Sequence, residues 1–459
     1  MPAQERMASV DALWFHMEEP ANLMMITAVL WFEGRLDVER LRTVVRERLV
    51  ERYPRFRQRV VLGRLGVPHW EDVPDFDLDA HLERLEVPAP GDHAALEALV
   101  SRWMSTPLER SRPLWQFHVL EGAEGGDVLL ARLHHCLSDG IALARVLLTL
   151  TDGEDGEEGV APEEAPREER RGGGLARWVR GARVVAGTAR KVLKKSAELA
   201  AEPILAGDLL RQGARGAAAV GKLMAIPPDP RTPLRGPLGT QKRAAWSKPV
   251  PLDEVKAVGR ALGGTVNDVL LAAVAGGLRR YLESQDVPPQ DVHALVPVNL
   301  RPLDEPVPRE LGNRFGVVFL RLPVHVEEPR RRFRELAKRM SEVKNSPEAL
   351  VTFGGLELLG YAPAAMERAV VDVIGSKATL VATNVPGPRE PVSLAGTRLG
   401  GLTFWVPQAG HLGLGVSLFS YAGQVTMGVA ADAARIADPH ALIRGFHEEL
   451  EALGGMATS

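Results

Sequence analysis

The segment His134-His135-Cys136-Leu137-Ser138-Asp139-Gly140 gathers two imidazoles, a thiol, a hydroxyl and a carboxylate into seven residues. An imidazole titrates near neutrality, so a neutral histidine at the mouth of a cleft can take the proton of an alcohol whose oxygen attacks a thioester carbonyl. A thioester is already activated and needs no enzyme nucleophile, and the chain has no Gly-x-Ser-x-Gly elbow that would expose an acyl-forming serine. Adjacent residues on a strand face opposite ways, so His134 and His135 do not converge on one metal ion. Cys136 shares a face with His134 and not with His135, which weakens a Cys-His nucleophilic pair. The expectation is one working histidine, one supporting histidine, and no metal or other cofactor. Asp139 lies too near His135 along the chain to be assumed a triad carboxylate, which is judged by convergence in space. It reads as a structural carboxylate, and either Ser138 or Asp139 can cap the helix that follows. Each member alone is ordinary, since Asp-Gly is common in turns; the constellation carries the chemistry.

Those residues must be positioned by the elements around them. Two apolar runs, Leu114 to Leu120 and Asp127 to His135, are separated by the Gly-rich stretch from Glu121 to Gly126, which predicts an antiparallel hairpin. Past His135 the chain turns through Ser138-Asp139-Gly140 into an apolar helix from Ile141 to Leu150, so the cluster sits where a strand hands over to a helix. Further on, Val292 to Leu300 and Phe315 to Val324 read as strands, and Thr265 to Leu282 and Pro329 to Lys344 as helices. The last of these carries a core stripe of Phe333, Leu336, Met340 and Val343, with its arginines on a solvated face. Strands and helices are mixed in both halves, which predicts an α/β (mixed α+β) class.

At 459 residues, 45% hydrophobic and 25% charged, the chain exceeds what one core serves, and two domains are expected. A net charge of -3 gives no general field for a polyanion, so nucleic acid is not an expected partner. The single cysteine excludes an internal disulfide framework, the start lacks a signal-peptide pattern, and no apolar stretch reaches the roughly 20 residues needed to span a bilayer. A cytoplasmic protein, in peripheral contact at most with a membrane or lipid droplet, is expected. Asp152 to Arg171, rich in acid, Gly and Pro, reads as a linker. Leu175 to Ala201 sets seven Lys and Arg residues opposite an apolar stripe containing Trp178; this basic helix either lies on an anionic lipid surface or packs its stripe on the protein. Gly216 to Lys222 nearly spells a phosphate-binding loop but has Leu223 at the Ser/Thr position and no strand before it. Prolines from Pro227 to Pro237 close this middle section. The organisation read from these signals is residues 1–150, a connecting region 151–240, and residues 241–459.

Taken with Pro113-Leu114-Trp115, Thr265-Val266-Asn267-Asp268-Val269, Pro297-Val298-Asn299-Leu300-Arg301, Thr383-Asn384-Val385-Pro386-Gly387-Pro388 and Met24-Met25-Ile26, the His-His-x-x-x-Asp-Gly segment gives a further reading. In order and spacing over nearly the whole chain, the sequence resembles the bacterial wax ester synthase/acyl-CoA:diacylglycerol acyltransferases. That family belongs to the superfamily of chloramphenicol acetyltransferase-like and peptide-synthetase condensation enzymes. The resemblance implies two such domains, each a mixed β-sheet flanked by helices, with the active-site channel at their interface. It implies that His135 is the general base and His134 its support, with acyl-CoA entering from one side and a long-chain alcohol or diacylglycerol from the other. Asn267 is either a donor near the oxyanion or the cap of its helix. Asp139 would turn from the substrate and pair with Arg301, and Gly140 would leave the channel clear. Trp115 reads as core packing and the Asn384 segment as a turn stiffened by Pro386 and Pro388. One departure is Ala422, where the family usually has Asn. Two other readings stand beside this one: a condensation-type catalyst using a carrier-bound donor, and a non-catalytic lipid-binding protein on the same fold.

Overall fold

In a computed structural model, residues 4–63, 66–152, 226–300, 308–344, 346, 348–359, 364–408 and 410–457 are described. The acidic linker beyond Asp152, the basic helix from Leu175, the Gly216 to Lys222 stretch and Arg301 lie outside the described residues. The strands are β1 Gln4–Arg6, β2 Met25–Phe32, β3 Gln58–Leu62, β4 Pro68–Asp72, β5 Leu82–Glu86, β6 Trp115–Glu121, β7 Val128–His134 and β8 Lys242–Trp246. They continue with β9 Val250–Pro251, β10 Val292–Asn299, β11 Phe315–Leu322, β12 Leu380–Pro386, β13 Ser393–Leu394, β14 Thr397–Trp405, β15 Leu414–Tyr421 and β16 Gln424–Asp432. The helices are α1 Ser9–His16, α2 Val38–Val44, α3 His93–Met104, α4 Gly140–Leu148 and α5 Leu252–Leu262. After them come α6 Val266–Ser284, α7 Pro329–Lys344, α8 Glu348–Leu359, α9 Ala364–Ser376 and α10 Pro439–Ala457.

Two mixed sheets organise the described residues. One runs β13-β14-β2-β7-β6-β5, the other β11-β10-β12-β15-β16-β8 with β9 on β16, and β1-β4-β3 forms a small third sheet. The expected hairpin is β6 and β7, antiparallel with Trp115 opposite Leu133. β7 is interior to its sheet, with β2 on its other edge, and every residue from Val128 to His134 is buried, so both faces are covered, as its near-continuous apolar run requires. In the second sheet β10–β12 and β12–β15 pair in parallel and the remaining pairs are antiparallel. The mixed α/β class expected from the sequence is the one observed.

The halves are less separate than the sequence suggests. β13 and β14, from the C-terminal half, complete the sheet of the N-terminal half by pairing β14 with β2. Trp31 of β2 stacks on Trp246 of β8, and Trp405 of β14 meets Trp246 edge-on, so an apolar seam joins the two sheets. A crossover of this kind leaves no compositional trace, because β14 reads as a buried strand whichever sheet it joins.

Two local readings change. Asn384 to Pro386 is the end of β12, paired in parallel with β15, and the turn comes only after it. Phe333, Leu336 and Met340 of α7 are buried as expected, but Arg332 beside them is buried too, its guanidinium bonded to Glu449 of α10 and to the Val326 and Glu327 carbonyls. Among the described residues no single helix is long and apolar enough to cross a membrane.

Candidate active site

His135 is the first residue past β7, and its backbone is held on both sides. Its N–H donates to the Met24 carbonyl at 2.7 Å, extending the β2–β7 ladder by one step, and its carbonyl accepts from Asn313 Nδ2 at 2.8 Å. Its ring stacks on Trp14 of α1, centroids 4.1 Å apart, and lies 5.7 Å from the ring of Phe315 at the start of β11. Aromatic walls and a 7% residual exposure remove the water that would stabilise an imidazolium. Burial is the main reason its pKa falls to about 3, against the raising effect of its own backbone carbonyl; His134 lowers it further and Asn313 raises it. At neutral pH it is an uncharged imidazole, able to accept a proton.

His134 looks elsewhere, as the alternation of a strand dictates. Its Nδ1 accepts the backbone N–H of Cys136 at 3.0 Å, so its proton sits on Nε2, 3.0 Å from Glu18 Oε2. Burial pushes the Glu18 carboxyl up, but His134 and then Arg110, 3.0 Å from Oε1, outweigh it and hold the pKa at about 2. Glu18 also accepts the Met24 N–H at 3.2 Å. His134 is therefore part of a buried strut under the residue that holds His135. Burial pushes the Cys136 thiol well up, so it offers no thiolate, in line with the weak Cys-His pair read from the sequence.

Asp139 caps α4. Its Oδ1 accepts from Ala142 N at 2.9 Å while Oδ2 accepts from the backbone N–H of Arg314 at 3.1 Å. Ser138 Oγ donates to the Gly312 carbonyl at 3.1 Å. With the Asn313 bond to His135, three hydrogen bonds stitch the loop from His135 to Asp139 to residues 312–314 of the other half. A Cβ built on Gly140 would meet only Ile26 Cδ1, at 3.7 Å, so the protein's own packing does not demand glycine there.

Asn267 is not the cap of its helix. Thr265 caps α6 in a reciprocal box with Asp268, and Asn267 Oδ1 instead accepts from Asn384 Nδ2 at 3.1 Å. This links two of the quoted segments across the second half. Trp115 is core: its indole N–H donates to the Phe56 carbonyl at 2.8 Å and its ring stacks on His81. Ala422 and Gly423 both have positive φ, 45° and 76°, between paired Tyr421 and Gln424. This is a two-residue hairpin turn in which Asn is the favoured first residue, so the departure at Ala422 is a matter of turn geometry.

Sequence reasoning missed Asp11, Trp14, Glu18 and Asn313. Asn313 is tied to Asp11 Oδ1 by both its backbone N–H, at 2.9 Å, and its Nδ2, at 2.8 Å. The available signal was the i, i+3 spacing of Asp11 and Trp14 on α1, whereas Glu18 lies past the end of that helix.

Two mixed sheets thus meet at a buried histidine, with the carboxylate of the same loop turned into a helix cap. Residues 7–270 match the wax ester synthase/diacylglycerol acyltransferase catalytic domain and residues 311–454 the C-terminal domain of the same proteins. The chain belongs to this family. It is 31% identical over 413 residues to a Mycobacterium tuberculosis protein named as a probable diacylglycerol O-acyltransferase, covering 87% of this chain and 84% of the relative. In fold it is similar to the wax ester synthase/diacylglycerol acyltransferase from Marinobacter aquaeolei VT8 (TM-score 0.70, 24% identity, 99% of this chain and 100% of that one). It is also similar in fold to the first condensation domain of the calcium-dependent antibiotic synthetase (TM-score 0.60, 18% identity, 100% of this chain and 97% of that one).

Proposed function

We propose that the protein transfers a long-chain acyl group from acyl-CoA to the hydroxyl of a fatty alcohol or a diacylglycerol, with His135 as general base and no acyl-enzyme intermediate. The observation that carries this is the state of His135: an imidazole kept neutral by burial between Trp14 and Phe315 while its main chain is bonded at both N–H and C=O. A buried neutral base of this kind draws the hydroxyl proton as the oxygen attacks the thioester carbonyl, and returns it to the departing thiolate. His134, pinned between Cys136 N–H and Glu18, supports the strand end. Asn267 is our candidate oxyanion donor: with its Oδ1 taken by Asn384, its Nδ2 is the end left to donate. Names of relatives support diacylglycerol as an acceptor, and the basic segment from Leu175 suits a neutral-lipid enzyme working at a membrane or droplet surface.

The test is release of free CoA from palmitoyl-CoA by purified protein, offered hexadecanol and dipalmitoylglycerol separately, with His135→Ala as control. Acceptor-dependent release that the variant lacks supports the assignment and ranks the acceptors. Equal release by the variant removes His135 as base. No release by folded protein with either acceptor moves the donor to a carrier-bound thioester, or the protein to lipid binding without turnover.

A further inference from the structure

We propose that α8 and α9 form a lid over His135, hinged at Gly354-Gly355, latched by His16 and Glu367, and opened when Val370 and Val373 enter a lipid surface. It rests on the acyltransferase reading only for what the opening admits, an acceptor that partitions into lipid.

α8 bridges the two elements that wall the imidazole. It packs against α1, which carries Trp14, and against β11, whose first residue is Phe315. The first part of α8 is fixed to the sheet. Thr352 Oγ1 accepts from Val317 N at 2.8 Å and donates to the Val317 carbonyl at 2.7 Å, while Ala349 sits so close to Gly316 that no Cβ fits between them. Gly354 and Gly355 follow at once, and a Cβ built on either meets nothing within 4 Å. Packing therefore does not call for glycine at either place, and two adjacent glycines inside a helix let it bend at little cost. Past this hinge, α9 is tied to the first half. His16 Nδ1, at the end of α1, donates to Glu367 Oε2 at 2.9 Å, and Glu367 is 1% exposed. Under this cover His135 is closed off from solvent.

The outer side of α9 is apolar. Val370 and Val373 stand one turn apart, 36% and 39% exposed, with half-buried Val371 and Ile374 beside them. Among the described residues only Leu62 is otherwise an exposed large apolar side chain. A lipid surface favours the lid position that buries these valines in it, and it shifts the balance by that difference in affinity alone. The latch opposes the shift through a polar contact whose imidazole already reaches water, 22% exposed. Lifting α9 exchanges that contact for hydration while Thr352 keeps the start of α8 on β11. Burial of uncharged side chains is not screened by salt, which separates this contact from attraction of basic residues to anionic lipid.

The experiment uses octanoyl-CoA and octanol, both in true solution, with and without phosphatidylcholine vesicles, which carry no net charge, and follows CoA release. Wild-type turnover should rise about 10-fold with vesicles, in low and high salt alike. The double variant Val370→Asp, Val373→Asp should keep the vesicle-free rate and lose the rise. His16→Ala should turn over without vesicles at close to the stimulated rate. Gly354→Ala with Gly355→Ala stiffens α8 and should stay at the vesicle-free rate throughout. Docking is read separately from turnover by an environment-sensitive dye on Asp372→Cys, an exposed position of α9; the native Cys136 is buried and does not compete. Its emission should shift to the blue on vesicles. Equal wild-type rates with and without vesicles, a rise that survives in the valine variant, a rise that salt abolishes, or a dye that does not shift each overturns the lid. Should no protein release CoA while the dye still shifts, the acyltransferase reading fails and the docking of α9 stands.

Discussion

Acidification isolates the energetic cost of the buried imidazole of His135. An exposed histidine titrates near 6.5, whereas burial holds His135 at about 3 in the folded protein. Between those values the unfolded chain binds a proton that the native state refuses, so this residue's contribution to stability is complete above 6.5 and is lost as pH falls toward 3. Over the whole window the loss approaches about 5 kcal/mol, at roughly 1.4 kcal/mol per unit. From pH 7.5 to 5.0 it amounts to about 2 kcal/mol. Urea unfolding followed by tryptophan fluorescence at those two pH values, on the native protein and on His135→Gln, measures it. Glutamine does not titrate, so the native protein should lose about 2 kcal/mol more than the variant, with all other groups cancelling. The same burial places the acidic limb of kcat/KM, which reports the free enzyme, well below pH 5. Equal pH slopes for the two proteins, or a limb between pH 6 and 7, would refute the claim that the Trp14–Phe315 enclosure keeps this ring neutral.

Substitutions at three positions probe the framework. Asp139→Ala removes both the α4 cap and the acceptor of the Arg314 N–H, and should destabilise by about 2–3 kcal/mol, read by urea unfolding, with a fall in kcat; Asp139→Asn, which retains one acceptor oxygen, should lie between. Ala422→Asn places a residue suited to positive φ where alanine is held at 45°, and should raise the unfolding free energy by about 0.5–1 kcal/mol without altering turnover. Gly316→Ala sets a methyl 1.8 Å from the Ala349 carbonyl oxygen, a backbone atom; separating β11 from α8 should cost about 3 kcal/mol or more in the same assay.

What the sequence disclosed about this site follows the sequence separation of each contact. Asp139 as a cap was legible because its bond to Ala142 spans three residues, and the turn before an apolar run announces it. The β6–β7 hairpin was legible because its strands are neighbours with a Gly-rich loop between. The Asn267–Asn384 bond spans 117 residues, and neither partner's local pattern indicates the other. Asp139 was expected to meet an arginine side chain. The described bond is to an arginine's backbone N–H, that of Arg314, a role no side-chain pattern encodes.

The working parts of the site lie at the largest separations. His135 takes its stacking partner from α1 and its carboxamide from the chain before β11, 178 residues downstream, and that carboxamide is fixed by a carboxylate 302 residues away. Local propensity cannot specify such contacts; they form only when α1, the β7 end and the approach to β11 meet, and β14 must cross into the first sheet for the halves to stay in register. The motif therefore supplies the imidazole, while the rest of the fold supplies its surroundings: a dry enclosure and a main chain bonded at both its N–H and its carbonyl. A chain that kept the motif but lost Asp11 or Asn313 would keep the sequence signature and lose the bond that holds the His135 carbonyl.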